Sequence, residues 1–208
     1  TGLAMTDGRV SGAHVRDNLS GSSIEMRARH VVNATGVWVD QLQGFEEPGR
    51  QAVIQPSKGV HVVVPRERLP LLEASVLLPS KQGDGRSMFA IPWGKQTILG
   101  TTDTAYTGEL DALGMDDEDL EYILASGNAV FDTGLTHEDV VGAWAGVRPL
   151  LKPDDQTDAS MSDLSRRHTI LQSASGLITI TGGKLTTYRR MAQEVVNLIS
   201  ARDGKKTR

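Results

Sequence analysis

Residues 182–192 constrain the fold of this chain more than any other segment, because they predict a strand, a tight turn and a helix in that order. A β-branched run over residues 177–181 leads to Gly182 and Gly183, and apolar residues then recur at helical spacing over residues 188–199. Glycine has no Cβ, so a bound group can approach the backbone closely at this turn. The first turn of the helix directs free N–H groups and the positive end of its dipole at the same place. The pattern predicts a cradle for a phosphate, a carboxylate or an electron-rich ring edge, although a packed strand, turn and helix without a ligand has the same pattern.

Composition excludes several classes of protein. The 208 residues suffice for one large domain or for one and a half small ones, and 38% hydrophobic and 23% charged residues are ordinary for a globular chain. A formal net charge of −4 gives no basic footprint, so we predict no nucleic-acid partner. The chain has no cysteine, and its five histidines show no metal-ligand spacing, so we predict no metal site. No apolar run reaches the roughly 18 residues of a membrane-spanning helix.

Short strands joined by turns dominate the rest of the chain. Strand patterns over residues 86–92 and 96–101 predict one hairpin, and those over 167–173 and 177–181 predict a second. Acidic residues at 116–119 mark the start of a helix, where the helix dipole favours negative charge. Three further segments are predicted to be irregular, namely a loop at 55–57, a turn at 82–85 and a surface loop at 152–167. These patterns predict an α+β fold, in which helices pack on a mainly antiparallel sheet.

Four groups of polar residues lie at the ends of predicted strands. These groups are Lys58 with His61, Arg86, Arg148, and Lys184 with Thr186 and Thr187. Cationic side chains that converge bind an anion such as a phosphate, and a histidine among them can accept a proton. No single group is specific, since an arginine before a proline more often forms a structural ion pair, and a lone histidine in a strand more often packs. Residues and spacing alone therefore lead to an α+β domain with an anion-friendly site.

A resemblance to a known family extends this interpretation. Residues 182–192 resemble the signature of the FAD-dependent glycerol-3-phosphate dehydrogenases, in which Gly-Gly-Lys is followed two residues later by Thr-Tyr-Arg and then by Ala. Four further blocks resemble the same family in the same order, namely residues 33–40, residues 58–61, residues 91–93 with 100–103, and residues 146–150. Five ordered blocks cover nearly the whole chain, from residue 10 to residue 199.

The resemblance implies a reaction and a cofactor. Enzymes of that family oxidise sn-glycerol 3-phosphate to dihydroxyacetone phosphate by transferring a hydride from C2 to N5 of FAD. Their electrons pass on to quinone or, in an oxidase branch, to oxygen. On this resemblance we expect glycerol 3-phosphate as substrate, quinone as electron acceptor and FAD as cofactor.

The same resemblance assigns roles to individual residues. Lys58, Arg86 and Arg148 would hold the substrate, with Arg148 the foremost phosphate ligand. His61 would accept the proton of the C2 hydroxyl, and Lys184 would face the substrate or the reduced flavin. We therefore expect His61, Arg148 and Lys184 to be catalytic. The expected cofactor-binding residues are Thr35 and Gly36 near the FAD diphosphate, and Gly182, Gly183 and the backbone amides of Leu185, Thr186 and Thr187 at the flavin pyrimidine.

The resemblance also implies a domain organisation. Residues 1–50 would be later strands of the FAD-binding domain, residues 51–150 the substrate-binding sheet, residues 151–202 a return to the FAD domain, and residues 203–208 a tail. The family's N-terminal Gly-x-Gly-x-x-Gly turn and its C-terminal helical domain have no counterpart in this sequence. We therefore expect a fragment with remnants of a Rossmann-like flavin domain, which alone binds FAD weakly or not at all and does not turn over.

Two other interpretations stay open. One is a different amine or hydroxy-acid oxidoreductase of the same flavin fold, and the other is a phospho-ligand binding module without redox activity. For location we expect the cytoplasm, with peripheral attachment of the full-length protein at the inner face of the plasma membrane left open. The sequence does not specify an oligomeric state.

Overall fold

The computed structural model describes residues 1–80, 85–152 and 167–205. The predicted turn at 82–85 and surface loop at 152–167 fall largely outside these residues, as does the end of the predicted tail. The strands of the described part are β1 (Gly2–Thr6), β2 (Arg9–Arg16), β3 (Ser23–Arg27), β4 (Val32–Asn33), β5 (Ile54–Pro65), β6 (Val76–Pro79), β7 (Ser87–Trp93), β8 (Gln96–Gly100), β9 (Thr104–Ala105), β10 (Gly142–Leu151), β11 (His168–Gln172) and β12 (Ile178–Gly182). Its α-helices are α1 (Val39–Gly44), α2 (Asp117–Phe131) and α3 (Tyr188–Arg202).

The described residues form two compact units. The first unit contains Thr1–Gln55 and the described residues from Pro149 onward, and the second runs from Pro56 to Arg148. The assignment of residues 1–50, 51–150, 151–202 and 203–208 to separate functional parts stays a prediction.

The second unit is built on a sheet with the strand order β10-β5-β8-β7-β6, and β9 also pairs with β5. The β5–β8, β7–β8 and β6–β7 pairings are antiparallel. Side chains alternate between the two faces of a strand. Val60, Val62 and Val64 of β5 are therefore buried together, in a core that includes Leu99 and Ile123. His61, between two of these valines, lies on the opposite face of the sheet.

Helix α2 begins as its acidic start predicts. The Asp116 carboxylate accepts a hydrogen bond of 2.9 Å from the Asp119 backbone N–H, and the Asp119 side chain accepts one from the Asp116 N–H in return. This reciprocal cap satisfies two backbone donors that a helix start leaves unpaired.

The first unit contains two three-stranded sheets, β1-β2-β3 and β11-β12-β4. Strand β12 pairs antiparallel with β11 and parallel with β4, while Ile178 and Ile180 of β12 form a small core with Val195 of α3. The fold is thus α+β with mainly antiparallel pairing, as the sequence predicts. Among the helices of the described ranges, none combines the length and apolar character needed to cross a membrane.

One local prediction is wrong. The loop expected at residues 55–57 belongs to β5, because Ser57 pairs with Ala105 and the Pro56 carbonyl accepts a 3.0 Å hydrogen bond from the Tyr106 N–H. Proline lacks a donor but keeps this acceptor, so a short partner strand on that side can extend β5 past it.

Candidate functional site

The Arg148 guanidinium lies against the backbone of Gly59. A Cβ at that glycine would lie 2.3 Å from Nη2 and 2.7 Å from both Cζ and Nη1 of the arginine. Nη2 donates to Thr101 Oγ1 at 3.0 Å, and both terminal nitrogens lie 3.3 Å from the Thr102 carbonyl oxygen. The guanidinium therefore packs on the β5 backbone at a position without a side chain, and hydrogen bonds to the turn after β8 hold it there.

Asp103 connects the two predicted arginines. Its carboxylate accepts hydrogen bonds from Ser57 Oγ and, at 3.4 Å, from Nη1 of Arg148. Its carbonyl oxygen accepts a bond of 2.7 Å from Nη1 of Arg86. The structure therefore brings Arg86 and Arg148 to one turn, as the predicted convergence of cations requires. Sequence reasoning assigned no role to Ser57, Thr101 or Asp103, although residues 100–103 belong to one of the five resembling blocks.

Arg86 also has an aromatic neighbour. Its Cζ lies 4.9 Å from the centre of the Tyr122 ring of α2, a distance at which a cation and the face of a ring attract each other. Arg86, Tyr122 and Lys58 line a pocket of about 320 Å³ together with residues of the turn after β8. The pocket shows that these cations border accessible space.

The Lys58 side chain forms ion pairs with two carboxylates at the start of α2. Its Nζ lies 2.5 Å from an Asp116 oxygen and 2.6 Å from an Asp119 oxygen, and the residue is only 7% exposed. Burial lowers the pKa of Lys58, but the hydrogen bonds to the two carboxylates outweigh it, so the pKa is raised overall. The Lys58 hydrogen bond in turn lowers the pKa of Asp116. Two negative charges face one positive charge here, so Lys58 anchors the start of α2, and its expected role as a substrate ligand stays a prediction.

His61 is held by ring contacts. Its imidazole is stacked on the indole of Trp144, with the ring centres 5.0 Å apart and an angle of 11° between the planes. Burial and, second, the positive charge of Arg148 lower the pKa of His61 below its ordinary value of 6.5. The ring is therefore neutral at pH 7 and can accept a proton, which is the chemistry expected of it. No sequence pattern pointed to Trp144.

A separate groove of about 610 Å³ lies in the first unit, where the two predicted cofactor segments meet. Val32 and Ala34 border it on the β4 side, directly before Thr35, and Gly182 to Leu185 border it on the β12 side. Its floor and walls are almost wholly apolar, and the exposed Tyr188 forms part of its wall. The shape and polarity suit a flat, mainly apolar ring system.

The diglycine turn has the backbone conformation that its sequence predicts. Gly182 and Gly183 have φ values of +75° and +76°, which residues with a Cβ rarely adopt. A 3-10 turn, Leu185–Thr187, then begins α3. The Thr187 N–H and hydroxyl both donate to the Lys184 carbonyl, at 2.9 Å each. Of the three amides expected to face a cofactor, those of Leu185 and Thr186 occupy the first positions of the turn, which have no acceptor within a helix.

The other predicted cofactor segment is fixed by a buried asparagine. The Oδ1 atom of Asn33 accepts a bond of 2.7 Å from the Thr35 hydroxyl, and its Nδ2 donates to the Val39 carbonyl at 3.0 Å. Gly36 follows with φ +61°, and a Cβ at that position would meet nothing within 4 Å. Asn33 therefore shapes the turn, while the backbone at Gly36 stays open to a ligand. Across the described residues, no cluster of three or more His, Asp or Glu side chains has the geometry to hold a metal ion.

Comparison with known proteins places this architecture in a family. The profile of the FAD dependent oxidoreductase family (DAO) matches residues 1–189 of the chain. The chain belongs to this family. The resemblance found in the five sequence blocks is thereby confirmed, since relatives within the family carry the name of the enzymes that those blocks resemble.

Three relatives illustrate the match. Glycerol-3-phosphate dehydrogenase 2 of Mycobacterium tuberculosis is 44% identical over 189 residues, which are 91% of this chain and 31% of that protein. The mitochondrial glycerol-3-phosphate dehydrogenase of Homo sapiens is 41% identical over 191 residues, 91% of this chain and 26% of that protein. The crystal structure of glycerol-3-phosphate dehydrogenase from Bacillus halodurans, complexed with FAD, superimposes with a TM-score of 0.86 at 37% identity, over 100% of this chain and 39% of that one. The chain spans about a third of the length of the relatives that it matches.

Proposed function

We propose that this chain is the part of an FAD-dependent glycerol-3-phosphate dehydrogenase that binds the substrate and one side of the flavin. The observation that carries the proposal is the pair of arginines gathered at one turn beside a neutral histidine. Two guanidinium groups suit a phosphate dianion, and a neutral imidazole suits a hydroxyl that must lose its proton. The names of the relatives, at 41–44% identity, support the same substrate.

The proposed substrate contacts follow from the geometry of the second unit. Arg148, which the turn after β8 holds by hydrogen bonds, would bring its positive charge to the phosphate, and Arg86, held over Tyr122, would add a second positive charge. His61 would take the proton of the C2 hydroxyl as hydride leaves C2. Because its pKa is lowered, this proton is then released readily to solvent.

The residues of the first unit fit a flavin. The apolar groove between the β4 and β12 sides accommodates a ring system, and the amides of Leu185 and Thr186 at its edge suit an atom that gains negative charge. When bound, FAD supplies the acceptor for the hydride from C2. Lys184, which borders the same groove, would add positive charge there, and the open backbone at Gly36 suits the diphosphate.

The proposal also covers the fate of the electrons and the location of the protein. We propose quinone as the acceptor from the reduced enzyme, with the protein in the cytoplasm and the full-length form peripherally attached to the membrane that holds the quinone. Reconstitution with a soluble quinone and with oxygen as alternative acceptors separates the dehydrogenase from the oxidase branch.

A binding experiment tests the proposed substrate. Calorimetric titration of the full-length protein with glycerol 3-phosphate should give saturable binding, and Arg148→Met should weaken it at least tenfold while Arg16→Met in β2 leaves it unchanged. Tight binding without any reduction of bound flavin would favour a phospho-ligand binding module, and reduction by amino or hydroxy acids instead would favour another oxidoreductase of the same fold.

A further inference from the structure

Within the described part of the chain, the imidazole of His61 is positioned by packing contacts and makes no hydrogen bond. One face lies on the indole of Trp144, with ring centres 5.0 Å apart. On another side, Gly100 is so close that a Cβ there would lie 2.5 Å from Cδ2 of the ring. The Nδ1 atom is buried and has no hydrogen-bond partner among the residues that the structure describes.

This arrangement differs from the usual way in which a functional histidine is oriented. The second ring nitrogen of such a histidine normally donates to a carboxylate or a carbonyl, which fixes the ring and its tautomer. At His61 that device is replaced by a flat aromatic neighbour and a bare backbone. Stacked rings attract each other beyond the contribution of the area that they bury. Since Nδ1 is enclosed, Nε2 is the nitrogen left to exchange a proton.

We propose that Trp144 is a positioning residue, whose indole holds the His61 imidazole so that Nε2 faces the substrate hydroxyl. This inference rests on the proposed function, since it concerns the base of that reaction. Trp144 is itself 46% exposed, so it acts as a cover on the site face of β10 and contributes little to the core.

The charges around His61 make the effect of Trp144 measurable. Among the residues that the structure describes, Arg148 on β10 is the charged group that lowers the pKa of the imidazole. Gly100 and Trp144 carry no charge, and Lys58 on the same strand as His61 is neutralised by Asp116 and Asp119. Removal of the indole would expose the ring to water and weaken the burial that lowers its pKa. The pKa of His61 should then rise toward the ordinary value of about 6.5.

The test uses the full-length protein with Trp144→Leu, Trp144→Phe and, as a matched control, Trp93→Leu. Trp93 is also an exposed strand tryptophan of the second unit. We expect Trp144→Leu to lower kcat about 10- to 100-fold, because a base out of line transfers protons poorly, while KM for glycerol 3-phosphate stays within about twofold. The acid limb of the kcat profile should move to higher pH. Trp144→Phe should restore most of the rate, and Trp93→Leu should match the wild type.

A second readout does not depend on turnover. Diethyl pyrocarbonate modifies the neutral imidazole, so the pH dependence of its rate of reaction with His61, followed by mass spectrometry of the His61 peptide, gives the pKa of the imidazole. This pKa should be higher in Trp144→Leu than in the wild type. An unchanged pKa together with an unchanged acid limb would overturn the inference, and so would a Phe variant as slow as the Leu variant. If Trp144→Leu does not fold, Trp144→Thr provides a second non-aromatic variant. Should the wild type fail to oxidise glycerol 3-phosphate, the proposed function fails, while the modification experiment still decides whether Trp144 governs His61.

Discussion

The substitution Gly59→Ala tests the seating of Arg148 with a single added methyl group. The new Cβ would lie 2.3 Å from Nη2, whereas ordinary contacts begin at 3.4 Å, so the guanidinium must retreat by about 1 Å. A retreat of that size breaks its bonds to Thr101 and Thr102, which are already 3.0–3.3 Å long. The arginine would then no longer lie where we propose that it binds the phosphate.

The expected magnitude follows from these contacts. A hydrogen bond to a charged group contributes about 1.5–3 kcal/mol, so the loss of one well-placed guanidinium contact should raise KM for glycerol 3-phosphate about 10- to 100-fold. The Arg148 side chain is 30% exposed and can swing outward. The cost in the free energy of unfolding should therefore stay within the roughly 1–3 kcal/mol typical of an overpacked site.

Steady-state kinetics and urea denaturation of the full-length protein measure the two effects separately. Gly142→Ala is the control, because it adds the same methyl group to β10, where the nearest atoms lie at an ordinary 3.9 Å. We expect normal KM in that variant. A Gly59→Ala enzyme with KM within twofold of the wild type would refute the role of Arg148 in holding the phosphate.

Three further predictions concern stability. Lys58→Met should lower the free energy of unfolding by about 3–5 kcal/mol, because it leaves the Asp119 carboxylate, 3% exposed, buried without its cation; urea denaturation measures the loss, and a loss below about 1 kcal/mol would contradict it. The Arg68 hydrogen bond lowers the pKa of Asp139 to about 2, so this pair stabilises the fold above pH 3.8 and loses its effect as pH falls through about 2. Asp139→Asn should reduce the dependence of the free energy of unfolding on pH between about 3.8 and about 2. An unaltered pH dependence in urea denaturation would argue against the pair. Gly183→Ala should lower the free energy of unfolding by about 1–3 kcal/mol, because φ is +76° and a Cβ would lie 2.7 Å from the Met191 sulfur. Thermal denaturation of the full-length protein measures the loss, and an unchanged midpoint temperature would contradict this prediction.

Local sequence patterns predicted the elements that depend on local chemistry. Helix α2 begins where acidic residues can cap it, and α3 follows a diglycine turn whose positive φ angles no other residue type adopts as readily. The hairpin of β7 and β8 follows from two strand patterns and a glycine turn between them. Each of these signals lies within about fifteen residues of the chain, and propensity acts over that range.

Long-range partners could not be predicted in this way. The ion pair of Lys58 with Asp116 joins residues 58 positions apart, and nothing in the sequence near Lys58 distinguishes an anchor for a helix from a ligand for a phosphate. The same limit hid the contact between Arg148 and Gly59. Only the packing of strands and helices in three dimensions brings these residues together. The groups that a cationic side chain contacts there determine whether the cation stabilises the fold or binds a ligand.

In the proposed function, this chain forms the substrate side of a glycerol-3-phosphate-oxidising flavoenzyme. Anaerobic rapid mixing of the full-length flavoprotein with glycerol 3-phosphate tests it most directly, with the visible absorbance of the flavin as the signal. We expect glycerol 3-phosphate to bleach the flavin and to yield one dihydroxyacetone phosphate per flavin reduced, while glycerol at the same concentration leaves the spectrum of the oxidised flavin unchanged. A flavin that stays oxidised with glycerol 3-phosphate, or that glycerol reduces equally fast, would contradict the claim.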